Sequence, residues 1–175
     1  MKAVVVFESL YGNTRAVAEA VAEGLRDGGD VAFLPVGDAG PEALTGADLL
    51  VVGGPTHVHG MSSERSRAAA ADDARKHPEK APPDVDGPAL RTWLDGLPRH
   101  DGRLAAGFDT RLDKPAVLTG AASHGIAKRL RRHGFAVLDE ESFLVTGGEG
   151  PLAPGERERA RAWGAELARA ALARR

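Results

Sequence analysis

The chain has 175 residues, 42% hydrophobic and 27% charged, which is the balance of a soluble globular protein and the length of one domain. A formal net charge of −2 leaves no general basic surface for nucleic acid, and the absence of cysteine excludes disulfides, thiolate metal sites, iron–sulfur clusters and cysteine nucleophiles together. No stretch approaches the roughly 18 apolar residues that span a bilayer. No secretory pattern follows Met1, so a single cytoplasmic domain over residues 1–175 is expected.

Lys2–Phe7 is a short, continuous apolar run, which predicts a strand buried on both faces. Val17, Val21 and Leu25 recur at four, with Ala18 and Ala22 beside them, as on one face of a helix that Gly28 and Gly29 stop. Val31–Val36 predicts a second strand and Ala43–Ala47 a short helix or turn. Leu49–Val52 predicts a third strand, running into Gly53-Gly54-Pro55. From Met61 to Pro88 the chain turns polar and alanine-rich. Ser62 or Ser63 suits the cap of a helix reaching about Lys76, and Pro82-Pro83 breaks regular structure beyond it. This segment, 61–88, reads as a solvated helical excursion or as a lid over a site.

Ala89–Leu97 predicts a helix with Leu90, Trp93, Leu94 and Leu97 on one face, and Leu104–Phe108 a fourth strand. Ala121–His133 predicts a helix with Ala122, Ile126 and Leu130 inward. Phe135–Leu138 and Ser142–Val145 read as a split fifth strand, Gly147–Gly155 as a connecting loop, and Glu156–Ala173 as a closing helix. Strands alternating with helices predict an α/β protein with a doubly wound sheet.

The loop Ser9-Leu10-Tyr11-Gly12-Asn13-Thr14 joins the first strand to the first helix. A helix start offers backbone amides with no partner inside the helix and the positive end of the helix dipole, so a phosphate fits there. Ser9 and Thr14 add hydroxyls, and Gly12 permits a positive φ or a close backbone approach. No Lys or Arg lies inside the loop, which favours hydrogen bonding to a terminal phosphomonoester over charge neutralisation; Arg15 follows it directly. The same residues would also serve as a plain capped turn.

The stretch Val4–Leu25, an apolar strand, an aromatic, Ser9, Gly12, Thr14 and an alanine-rich helix, resembles the FMN-phosphate loop and first helix of the flavodoxins. The resemblance implies FMN as cofactor, with Ser9, Leu10, Tyr11, Gly12, Asn13 and Thr14 around its phosphate. It implies a flavodoxin-like five-stranded parallel sheet of order 2-1-3-4-5 with helices on both faces, binding its cofactor at the switch point between the first and third strands. Two more loops leave that edge: Pro55, Thr56, His57, Val58, His59 and Gly60 after the third strand, and Phe108, Asp109, Thr110 and Arg111 after the fourth. By the same resemblance they contact the flavin ring. Gly54-Pro55-Thr56 is also similar to a loop of quinone-reducing flavodoxin-like enzymes.

Neither ring-facing loop holds the Tyr or Trp with which electron-carrying flavodoxins sandwich the ring, and Trp93 and Trp163 fit core positions instead. The expected pocket is lined by histidine, arginine and aliphatic groups, with Phe108 its one aromatic. Positive charge from Arg111 or a protonated histidine would raise the reduction potential of a flavin held there. His57-x-His59 has metal-ligand spacing but no third ligand nearby, so no metal is expected. Other uses of this topology lack their chemistry: there is no Asp at the end of the third strand for a receiver domain, no cysteine for a phosphatase, no G-x-x-x-x-G-K-[ST] and no G-x-G-x-x-G. The reading is an FMN-binding redox protein that passes electrons to a redox partner protein or small-molecule acceptor and needs no nucleophile or general base of its own. An FMN-dependent NAD(P)H:quinone-type oxidoreductase and a degenerate fold without flavin are the alternatives.

Overall fold

The structure is a computed structural model that describes residues 1–57, 60–79 and 81–174. Six strands, β1 (Lys2–Phe7), β2 (Asp30–Pro35), β3 (Leu49–His57), β4 (Gly60–Met61), β5 (Leu104–Leu112) and β6 (Ala136–Val145), form one sheet. Its order is β2-β1-β3-β5-β6, with all four pairings parallel. The two-residue β4 folds back antiparallel on the end of β3, pairing Met61 with Thr56 and Gly60 with His57. Without that return strand the order is the expected 2-1-3-4-5.

Helices α1 (Asn13–Leu25) and α6 (Glu156–Leu172) cover one face, and α3 (Leu90–Asp95) and α5 (Ala122–Arg132) the other. The period of two along the strands sorts the core. Val5, Phe7, Val51 and Phe108 pack with α1 and α6, whereas Val4, Val6, Val52 and Ala105 pack with Leu90, Leu94, Ile126 and Leu130. The remaining helices are α2 (Glu64–Lys76) and α4 (Ala116–Thr119). Ser63 caps α2: its Oγ accepts from the Ser66 N–H at 3.2 Å, and Ser66 Oγ accepts from the Ser63 N–H at 2.9 Å. No helix among the described residues is long and apolar enough to cross a membrane.

Two strands run further than their apolar runs predicted. β3 continues through Gly53-Gly54-Pro55-Thr56-His57, and β5 through Asp109 to Leu112. Gly53 and Gly54 are strand residues chosen for space. A Cβ on Gly53 would collide with the Phe108 ring, and one on Gly54 with Leu90. β6 is one strand and not two. Its register against β5 slips between Ala105 and Ala106, and the acidic run Asp139-Glu140-Glu141 is tolerated because this is an edge strand.

The longer β5 corrects the reading of Phe108. Expected in a loop against the flavin ring, it is fully buried between the sheet and α6, edge-on to Phe143 at 6.1 Å and Trp163 at 6.2 Å. Strand alternation turns Phe108 towards α1 and α6 and Asp109 towards α5.

Candidate functional site

The edge formed by the C-terminal ends of β1, β3 and β5 holds the site. After Phe7, Glu8 donates its N–H to the Gly53 carbonyl at 3.0 Å, so the sheet continues one residue into the loop. Gly12 then takes φ +89°, a left-handed conformation that aims the chain into α1. Ser9 Oγ accepts the N–H groups of Gly12 at 3.1 Å and Arg15 at 3.2 Å, closing the loop on itself. Thr14, buried in the first turn of α1, meets Thr110 hydroxyl to hydroxyl at 2.8 Å and ties the helix start to β5.

A cavity of about 290 Å³ opens beside this turn. Leu10, Tyr11, Asn13 and Thr14 line it from the first loop, Pro55, Thr56 and His57 from β3, and Thr110 and Arg111 from β5. Those residues, singled out from three separated stretches of sequence, thus share one cavity. Ser9 and Gly12 shape the loop but line a different cavity, of about 780 Å³, with Phe33 of β2 and with Asp84 and Asp86. Gly60 is in β4, and Asp109 lies buried beneath the cavity wall. Val58 and His59 lie outside the described residues. Arg15 is exposed and pairs with Glu19 at 3.0 Å on its own helix.

The charges of the cavity are fixed by burial and by backbone carbonyls. His57 is half-buried, its Nδ1 is enclosed without a hydrogen-bond partner, and burial pushes its pKa below the ordinary 6.5. The expected protonated histidine is therefore disfavoured, and His57 is neutral near pH 7. Arg111 Nη1 donates to the carbonyls of Lys114 at 2.6 Å and Leu112 at 3.4 Å, and its Nε is buried without a partner. Arg111 remains the one cation among the cavity-lining residues.

Two parts of the site depend on contacts between distant segments. Leu112, Val145, Gly148 and Glu149 complete the cavity wall, because the loop after β6 folds back through a bridge between Val145 and Leu152. From its sequence the loop reads as a connection to the last helix or as a wall of the site's opening, and Gly148 and Glu149 do line the cavity. The second is the anchor of residues 61–88. Glu8 and Arg67 are both buried, with Glu8 Oε1 3.1 Å from Arg67 Nε, at contact distance but off the angle of a hydrogen bond. Ser62 Oγ donates to Glu8 Oε2, as does the Leu90 N–H at 3.3 Å. Arg67 also donates to the carbonyls of Gly87 at 2.9 Å and Asp86 at 3.2 Å, and the Asp84 N–H reaches the Leu10 carbonyl at 2.8 Å. Burial raises the Glu8 pKa, opposed by Ser62, Arg67 and Leu90. The excursion is therefore clamped to the back of the first loop.

The cavity chemistry fits a flavin mononucleotide: a helix start with hydroxyls at one end, apolar Leu10, Pro55 and Leu112, and enclosed polar nitrogens on His57 and Arg111 still without partners. The sequence profile of the flavodoxin family matches residues 5–107, well over half of the 175. Among solved structures, flavodoxin 1 from Bacillus cereus is 20% identical with a TM-score of 0.66, covering 97% of this chain and 98% of its own. A flavodoxin from the domain Archaea is 21% identical with a TM-score of 0.64, covering 98% and 99%. A WrbA-like flavodoxin protein from Agrobacterium tumefaciens is 23% identical with a TM-score of 0.59, covering 99% of each chain. At these identities the structures speak for the fold. No curated protein matches the chain's sequence. With the family profile, the strand order and the cofactor edge in agreement, the chain belongs to the flavodoxin family of FMN-binding redox proteins.

Proposed function

We infer that the chain acts as one cytoplasmic domain that carries electrons between a redox partner protein and a second protein or small-molecule acceptor, through FMN held in the 290 Å³ cavity. Bound FMN supplies the electron chemistry, and the protein binds, orients and shields it. Asn13 and Thr14, at the helix start that Ser9 and Gly12 shape, would hold the phosphate. Pro55, Thr56, His57 and Arg111 would face the ring. A neutral His57 offers one hydrogen-bond donor or acceptor without charge, and Arg111 supplies the positive potential. The observation that carries this reading is the convergence of the α1 start with the ends of β3 and β5 on one cavity.

The test is reconstitution. Apoprotein titrated with FMN is expected to quench flavin fluorescence at a single site, and riboflavin, lacking the phosphate, to bind at least about tenfold more weakly, since charge-assisted phosphate contacts are the strong ones. Equal affinity for the two would remove the phosphate from the first loop, and no FMN binding would overturn the reading.

A further inference from the structure

Asp109 is a fully buried carboxylate that lines no part of the cavity itself. Its Oδ2 accepts the Thr56 hydroxyl at 3.0 Å and the Ser123 N–H at 2.8 Å. Thr56 Oγ1 in turn accepts the Ala122 N–H at 2.9 Å. An amide can only donate and a carboxylate only accept, so the Thr56 proton points at Asp109. Thr56 lines the cavity, and all it has left to offer there is a lone pair. One carboxylate oxygen thereby sets the hydrogen-bond polarity of a cavity-wall residue and anchors the first turn of α5. The other oxygen, Oδ1, is buried with no hydrogen bond of normal geometry, although the Ser142 hydroxyl beside it on β6 favours the charged form.

Resting on the reading that this cavity holds FMN, we propose that Asp109 is the positioning residue that holds down the reduction potential of the bound cofactor: its charge, bonded to Thr56 and adjacent to Thr110, opposes each arriving electron. The charge has no solvent around it to screen it, so its field reaches the cavity at low effective dielectric. Arg111, two residues along β5, is the cation that acts on it. The elements packed around it also carry His57 on β3, Asp139, Glu140 and Glu141 on β6, and on α5 His124 and the basic residues between Lys128 and Arg132; His124 is exposed and pairs with Glu140 at 3.4 Å. Burial raises the Asp109 pKa, and Ser123, Ser142, Thr56 and Arg111 pull it back. As pH falls through its ionisation the charge disappears, and the potential rises by more than the flavin's own proton uptake gives.

Asp109→Asn keeps an oxygen that accepts from Thr56 and Ser123 and removes the charge. FMN affinity of the oxidised protein is expected to change less than about threefold. The ratio of affinities for reduced over oxidised FMN is expected to rise about tenfold, a coupling of ordinary size. The midpoint potential then moves positive, and its pH dependence keeps only the slope of the flavin's own proton uptake. Thr56→Val removes the lone pair that the carboxylate turns towards the cavity and is expected to shift the potential the same way by less. It serves if Asp109→Asn does not fold. A variant that binds FMN with the parental potential at every pH overturns the proposal. Failure of the parent to bind FMN overturns the functional reading and this proposal together, and shows at the binding step before any potential is measured.

Discussion

Glu8, at the end of β1, and Arg67, inside α2, meet at 3.1 Å with 4% and 3% of their surfaces exposed. The pair joins the residue that precedes the first loop to a helix whose sequence is otherwise polar. Two charges taken this far from water are held by their partners, Ser62 and Leu90 on one side and the Gly87 and Asp86 carbonyls on the other.

Removing one partner leaves the other charge buried alone. Arg67→Ala is expected to destabilise the protein by about 3–5 kcal/mol. Urea unfolding measures this, and a double variant Glu8→Gln/Arg67→Met is expected to recover part of the loss. A surface-like loss below about 1 kcal/mol would mean that residues 61–88 are not clamped.

Thr14 links α1 to β5 through Thr110. Thr14→Leu removes the hydroxyl and puts a bulky side chain into the end of the cavity beside the α1 start. FMN affinity is expected to fall at least about tenfold, the worth of one good polar contact and its geometry. Thr14→Ser is expected to bind like the parent. Fluorescence titration separates the two, and an unchanged affinity for Thr14→Leu would place the phosphate elsewhere.

Phe108 separates core from cofactor site. Phe108→Ala is expected to cost about 3–5 kcal/mol, as for other large buried aromatics. The milder Phe108→Leu is expected to lower stability while FMN affinity and the visible flavin bands stay parental. A selective change in the flavin spectrum would return Phe108 to the ring.

His57 and His100 both have their pKa lowered from 6.5, His57 by burial and His100 by burial first and then by Arg103 and His133. The folded state disfavours the proton that the unfolded chain accepts. Their contribution to stability is therefore complete above pH 6.5 and is lost as pH falls through the lowered folded pKa values. Glu8 and Asp109, with raised pKa values, act the opposite way, so the histidine part is read as a difference: His57→Gln is expected to lose less stability than the parent between pH 7.5 and 5. Denaturant midpoints measured from pH 7.5 to 5 check it, with a parental slope in the variant as the contrary result.

The alternation of strands and helices and the position of the first loop were legible in the sequence, because each rests on residues close together. A Val-rich run, a 3.6-residue apolar repeat, Gly12 at a left-handed turn and hydroxyls at a helix start are local facts. That Ser62 or Ser63 caps α2 was legible for the same reason, and the structure selects Ser63.

Strand length was not legible. β3 and β5 run past their apolar residues because each is hydrogen-bonded to the other out to Pro55 and Thr110, a register decided between distant segments. That extension decides by alternation that Phe108 joins the core and Asp109 lies under the cavity. The inward turn of Arg67 and the return of the Gly148–Glu149 loop to the cavity likewise depend on partners far away in the chain. Sequence by itself therefore determined the elements and the first loop, through local periodicity and turn chemistry. Only the tertiary structure decided which side chains reach the cavity, because a side chain's burial and charge are set by what the fold packs against it.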